Sequence, residues 1–249
     1  MKKTITILFS LLILSLSSNA QDPVPATGTE SPFSMNVSLN SDIFFGFYPF
    51  FSGSYNFSET TAFTFYGILW SGGTAGAWGN WTEFGVGVNL SPMEGLNINP
   101  QIGLLNGSLT SGLGTPTLGE GFVPNLTVGL NLDKVEGEFY GGYYVGLDHG
   151  NEHTNNYLHY WLNGGYKFGR IVSAGLHLEH LRFTGGQNYG DDAAYDYYMA
   201  LGPYIQFSSP DGNTFARFTT GSDLRDDEMR IKSEYGISSF YKLSVGYSF

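Results

Sequence analysis

From Phe33 onward, apolar and polar residues alternate in run after run of seven to thirteen residues, and this rhythm of two confines the chain to β-sheet. FSMNVSLNSDIFF (33–45) sets Met35, Val37, Leu39, Ile43 and Phe45 on one face, with Ser34, Asn36, Ser38, Asn40 and Asp42 on the other. WTEFGVGVNL (81–90) and LNINPQIGL (96–104) repeat the pattern. So do runs near 122–132, 138–148, 157–168, 172–182, 195–207, 214–220 and 237–249, with a weaker pair at 50–57 and 61–70. That makes about twelve strands, each as long as a tilted membrane-crossing strand, with no helix-period segment among them. The composition agrees: 20 Phe, 17 Tyr and 35 Gly accompany only 13% charged residues.

The connections separate a barrel from a sandwich, which would alternate as well. From the second strand on they run short, then long. SET (58–60), SPMEG (91–95), DKVE (133–136), GRI (169–171) and SSPDGN (208–213) are short. SGGTAGAWGN (71–80), residues 107–121, the region after Asp148, and residues 183–194 and 221–235 are long. Only the first connection, around Gly46–Pro49, breaks the rule. Tight turns at one rim and long loops at the other are the layout of a membrane-spanning antiparallel barrel, with short periplasmic turns and long extracellular loops. Hairpin parity fixes register: a three-residue turn joining Phe168 to Val172 must set Asn163 opposite His177 and Trp161 opposite Glu179, all inward. Twelve strands at ordinary spacing and tilt close at a backbone diameter of roughly 24 Å.

Before the barrel, Lys2 and Lys3 precede an apolar run from Ile5 to Leu16, and Ser18 and Ala20 supply small residues for cleavage. Residues 1–20 read as a cleaved signal peptide, 21–32 (QDPVPATGTESP) as a short flexible leader, and 33–249 as the barrel. The chain has no Cys, so disulfides, thiolate metal sites and lipoprotein attachment are excluded. The net charge of −11 argues against nucleic acid.

The closing segment YKLSVGYSF (241–249) puts Tyr241, Leu243, Val245, Tyr247 and Phe249 on one face. It resembles the terminal strand that bacterial outer-membrane proteins present to their assembly machinery. That resemblance implies a cell outer-membrane location, outer-membrane lipid and the assembly machinery as partners, and an assembly-signal role for those five residues. The SNA–Q junction resembles exported proteins of Bacteroidota. In size the barrel is similar to nucleoside-specific channels, but no motif here carries their binding residues across.

Strict alternation points Asp42, Glu83, Glu138, Asp148, Glu179 and Asp196 inward, against Lys167, Arg217 and Lys242. His159, His177, Trp81, Tyr140, Tyr144, Tyr157, Trp161, Tyr198 and Tyr204 join them. Charges are cheap in a wet lumen and costly in lipid. The pore-lining set expected is therefore Asp42, Glu83, Glu138, Tyr144, His159, Trp161, Lys167, His177, Glu179, Tyr198, Arg217 and Lys242. Six acids against three bases predict mild cation preference for a porin-like channel passing small hydrophilic solutes. The bland alternative is a lumen filled by hydrogen-bonded side chains, in a structural or adhesive barrel whose loops bind a partner. Aromatics at outward strand ends (Phe45, Tyr143, Tyr160, Tyr166, Tyr197, Tyr247 and Phe249) read as interfacial girdles.

No chemistry is called for. His177 and Glu179 share a face, yet no nucleophile or third ligand is placed beside them. His180 falls on the outer wall. No His is followed by Ser two residues on, which weighs against an outer-membrane lipid-modifying enzyme. The acidic segments 190–196 and 223–230 lack calcium-loop spacing. No cofactor or metal is expected.

Overall fold

The computed structural model describes residues 31–70, 81–111, 116–147, 149–150, 152–190, 193–226 and 238–249. The signal-peptide segment, most of the leader and Asp148 lie outside the described residues.

Twelve strands form: β1 (Phe33–Asp42), β2 (Gly46–Asn56), β3 (Thr61–Trp70), β4 (Trp81–Met93), β5 (Leu96–Gly107), β6 (Thr117–Asn131), β7 (Val135–Gly146), β8 (Asn156–Lys167), β9 (Val172–Gly185), β10 (Tyr195–Ser208), β11 (Thr214–Asp223) and β12 (Ser239–Ser248). Each pairs antiparallel with its neighbours in sequence, and β12 pairs with β1 from Asn36↔Ser248 to Asp42↔Lys242, closing a barrel without an edge. The β8–β9 register is the one parity demands. The Phe168 amide donates to the Val172 carbonyl at 2.9 Å, and Asn163↔His177 and Trp161↔Glu179 are opposite one another.

The five short connections share one rim, here the turn rim. At Glu94–Gly95 the chain reverses in two residues. Gly95 sits at φ +77, where a Cβ would come within 2.6 Å of the Asn131 carbonyl, so the position calls for glycine. The outer wall exposes Val86, Leu104, Leu162, Leu176, Phe218 and Val245, among many other apolar side chains. The expected outward residues of β12 (Tyr241, Leu243, Val245, Tyr247) and Phe249 are exposed there, as are Tyr143 and Tyr166. On the same wall Gly67 lies opposite Phe51, whose ring covers it closely enough to exclude any side chain. Glycine under an aromatic ring restores the packing that a bare backbone lacks.

Three expected orientations change. β1 stops at Asp42, and Ile43–Phe45 form a turn that folds into the barrel. Phe45, expected in a girdle, is only 3% exposed, with its ring centroid 4.5 Å from that of Trp70. The cause is a side-chain cap: Asp42 Oδ1 accepts the Phe44 and Phe45 amides at 2.9 and 2.7 Å, curling the chain inward. A β-bulge between Asp196 and Tyr198 inserts one residue, and the alternation flips across it. Asp196, expected inward, therefore stands with the outward His180 (2.9 Å) and Arg182 (2.7 Å). Tyr197, the inserted residue, packs toward the buried Tyr157 instead of joining a girdle.

Candidate functional site: the lumen

The inward face of every strand converges on the axis, and along that axis the lumen divides in two. Toward the loop rim it is filled. Phe44, Trp70, Trp81, Leu105, Tyr157 and Leu181 are buried together. The Phe44 ring stacks on Tyr198 at 3.6 Å, and Trp70 on Trp81 at 4.8 Å. Toward the turn rim a cavity of about 580 Å³ opens, lined by Ser52, Ser54, Asn99, Gln101, Ser244 and Ser248. Glu138, Tyr140, Trp161, Asn163, Arg217 and Lys242 line it as well.

Where the halves meet sits Glu179, fully buried on β9. Its Oε1 meets His159 Nε2 (3.0 Å) and accepts from the Tyr198 hydroxyl (2.8 Å). Its Oε2 meets His177 Nε2 (3.0 Å) and accepts from Lys242 Nζ (3.1 Å). A buried carboxylate is tolerable only when saturated in this way. The cluster also anchors the filled half. Phe240 stacks on His177 at 5.5 Å, Phe45 lies 5.5 Å from the His159 ring, and Lys242 pairs across β1–β12 with Asp42, the residue that caps the inward turn.

A second network spans the cavity wall. Glu138 accepts Trp161 Nε1 (3.1 Å) on one oxygen, and Asn163 Nδ2 (3.2 Å) and Arg217 Nη1 (3.1 Å) on the other. Asn163 thereby turns its carbonyl to His177 Nδ1 at 2.6 Å, joining this network to the Glu179 cluster. Trp161 is sandwiched, with Tyr140 stacked at 4.1 Å and the Lys242 ammonium 5.3 Å from its centroid. Glu83 receives the Tyr66 hydroxyl (2.6 Å), which takes a hydrogen bond from Asn125 (2.7 Å). Tyr144 meets the Tyr140 hydroxyl at 3.1 Å.

Of the twelve residues expected to line a pore, the structure brings Asp42, Glu83, Glu138, Tyr144, His159, Trp161, His177, Glu179, Tyr198, Arg217 and Lys242 into these linked clusters. Lys167 stands apart at the turn rim, where Nζ donates to the Leu132 carbonyl (2.7 Å) and to Asn131. Sequence reasoning missed Glu136, placed in a turn, which accepts Tyr204 (2.6 Å) and Ser173 (2.7 Å) inside the barrel. It also missed Arg225, assigned to an acidic loop but buried, with Nε 2.8 Å from Asp223. Carrying the inward parity of Arg217 and Thr219 on through Gly221 and Asp223 points to Arg225. Glu120 was missed too: it accepts three consecutive amides, Leu109 to Ser111, at 2.9–3.0 Å. Among the described residues, no group of three or more His, Asp or Glu is arranged to hold a metal ion.

Fold and lumen together define a closed twelve-stranded antiparallel β-barrel with an apolar outer wall, half filled and half hollow. Across residues 1–249 the chain belongs to a family of unknown function (DUF6733). No curated protein matches it. Among solved structures it is similar to a KdgM porin, at 15% identity and a TM-score of 0.45 over 87% of this chain and 99% of that one. It is also similar to an outer membrane channel from Pseudomonas putida F1 (14%, TM-score 0.49, 91% and 98%) and to a NanC porin (11%, TM-score 0.49, 86% and 98%).

Proposed function

We propose that the protein is an outer-membrane barrel acting as a porin-like channel for small hydrophilic solutes, with its turn rim toward the periplasm and its loops outward. The observation that carries this reading is a cavity, lined by hydroxyl, amide and charged side chains set among aromatic rings, enclosed by a barrel that has no edge and an apolar exterior. Closed barrels satisfy every backbone group without water, as a bilayer requires. Residues 1–20 would direct export and be removed, 21–32 would lead into the barrel at residue 33, and the outward residues of β12 would serve the assembly machinery.

The described lumen is closed at its loop side, so the reading includes a closed state whose stopper is the Ile43–Phe45 turn. Asp42, Glu83, Glu136, Glu138 and Glu179 against Arg217 and Lys242 favour the mild cation preference expected from the sequence. The test is conductance in planar bilayers of the wild type and of a Phe44→Ala/Phe45→Ala double variant. The variant should conduct more, in discrete steps, with a reversal potential on the cation side in a salt gradient. A folded double variant that stays silent would overturn the channel. The same filled half then favours the second reading, a non-conducting barrel whose hollow end holds a solute or partner.

A further inference from the structure

We infer that the hollow half contains a binding site for the oxyanion group, carboxylate or phosphate, of a small hydroxylated solute, with Arg217 and Lys242 as its cationic donors. The inference rests on the lumen admitting solute from the turn rim; it does not need conduction. Among the described residues lining the cavity, Glu138 is the acid, and both its oxygens are occupied by Trp161, Asn163 and Arg217. The other inward acids do not line it: Glu179, Glu83 and Asp42 are buried, and Glu136 is engaged by Tyr204 and Ser173.

The bases differ. A guanidinium carries five N–H donors and an ammonium three. Arg217, which lines the cavity, gives Nε to Gln206 (2.9 Å) and Nη1 to Glu138 (3.1 Å), and its Nη2 has no acceptor among the described residues. Lys242 gives a hydrogen to Glu179 and lies against the Tyr48 hydroxyl, keeping one more. Arg217 is opposite Ser244 and Lys242 opposite Thr219, so the two cations are diagonal neighbours on β11 and β12. Diagonal pairs stand roughly 7–8 Å apart, within reach of one ligand group for long side chains. The Tyr204 ring 5.0 Å from Arg217 holds the guanidinium plane, and a fixed fork is what bidentate oxyanion recognition requires. Around them Ser244 and Thr127 offer hydroxyls to the rest of a hydroxylated ligand. An entering solute thus meets unspent cationic donors and a spent carboxylate. The summed charge of the lumen governs ion preference along its length, whereas this local excess of donors governs what is held.

Isothermal titration of the full-length protein in detergent, with glucuronate, glucose 6-phosphate, glucose and glucosamine as probes, tests the site. At least one of the two anions should bind about tenfold or more tighter than glucose, and whichever does identifies the group. Arg217→Gln should remove that margin, Arg217→Lys should restore part of it, and Lys134→Gln in the exposed β6–β7 turn should leave it intact. Circular dichroism confirms that each variant folds. Equal binding of all four probes, preference for glucosamine, or an Arg217→Gln protein that keeps the margin would overturn the proposal. A silent Phe44→Ala/Phe45→Ala variant with intact anion binding would sink the channel alone, and conduction without anion preference in binding would sink the site alone.

Discussion

The two halves of the lumen are built by the same strands, yet they are different materials. At the loop side, inward positions carry large rings and fully engaged polar groups: Tyr198 and Glu179 expose nothing, and Phe44 folds down onto Tyr198. At the turn side the same alternation delivers Ser52, Ser54, Asn99 and Ser244, too small to meet across the axis, and a cavity remains. The difference teaches that strand number alone does not decide whether a barrel of this size is open. Side-chain volume at each height decides it, and polar residues inside a barrel can be cement in one layer and a wet wall in the next.

Three substitutions would break or sharpen that contrast. Glu179→Ala strips the shared acceptor from His159, His177 and Lys242 and should cost about 3–5 kcal/mol, as breaking a buried ion pair does. Denaturant titration measures the cost, and a change below 1 kcal/mol would mean that the cluster is not buried as described. Asp42→Ala removes the acceptor for two buried amides and should cost about 1–3 kcal/mol. It should also unseat the inward turn, read as easier quenching of tryptophan fluorescence by acrylamide, since Phe45 covers Trp70. Ser52→Ala on the cavity wall should move stability by no more than about 0.5 kcal/mol, because that hydroxyl faces the cavity and not the packed interior. A large loss there would show the hollow half to be packed after all.

Much of this was legible in the sequence, for a physical reason. A period of two is rigid, so one hairpin of known turn length fixes every pair above it; that is why Asn163↔His177 and Trp161↔Glu179 follow from the Phe168–Val172 turn alone. The same rigidity explains the failures. Alternation cannot register an inserted residue, so Asp196 came out on the wrong face of a bulged strand. Nor can it tell a strand from a turn that happens to alternate, which hid the inward course of Phe45. Glu136 was lost because the start of its strand was drawn short, and Arg225 because it lies two residues past the end of β11. The candidate site was the least legible part. Arg217 meets Glu138 across the lumen, 79 residues apart in sequence, and no local pattern states which inward residues share a height.

The seam between β1 and β12 has a consequence for how the barrel is made. Every other strand pair is a hairpin or near neighbour and can zip up as soon as its two halves exist. The seam joins partners such as Asn36 and Ser248, 212 residues apart. The entropy of closing so long a loop grows only with the logarithm of its length, so the penalty is modest, but it falls wholly on one step. Ring closure is thus the one non-local pairing in making this barrel, and until it completes two unsatisfied strand margins are open to any other chain that can pair with them.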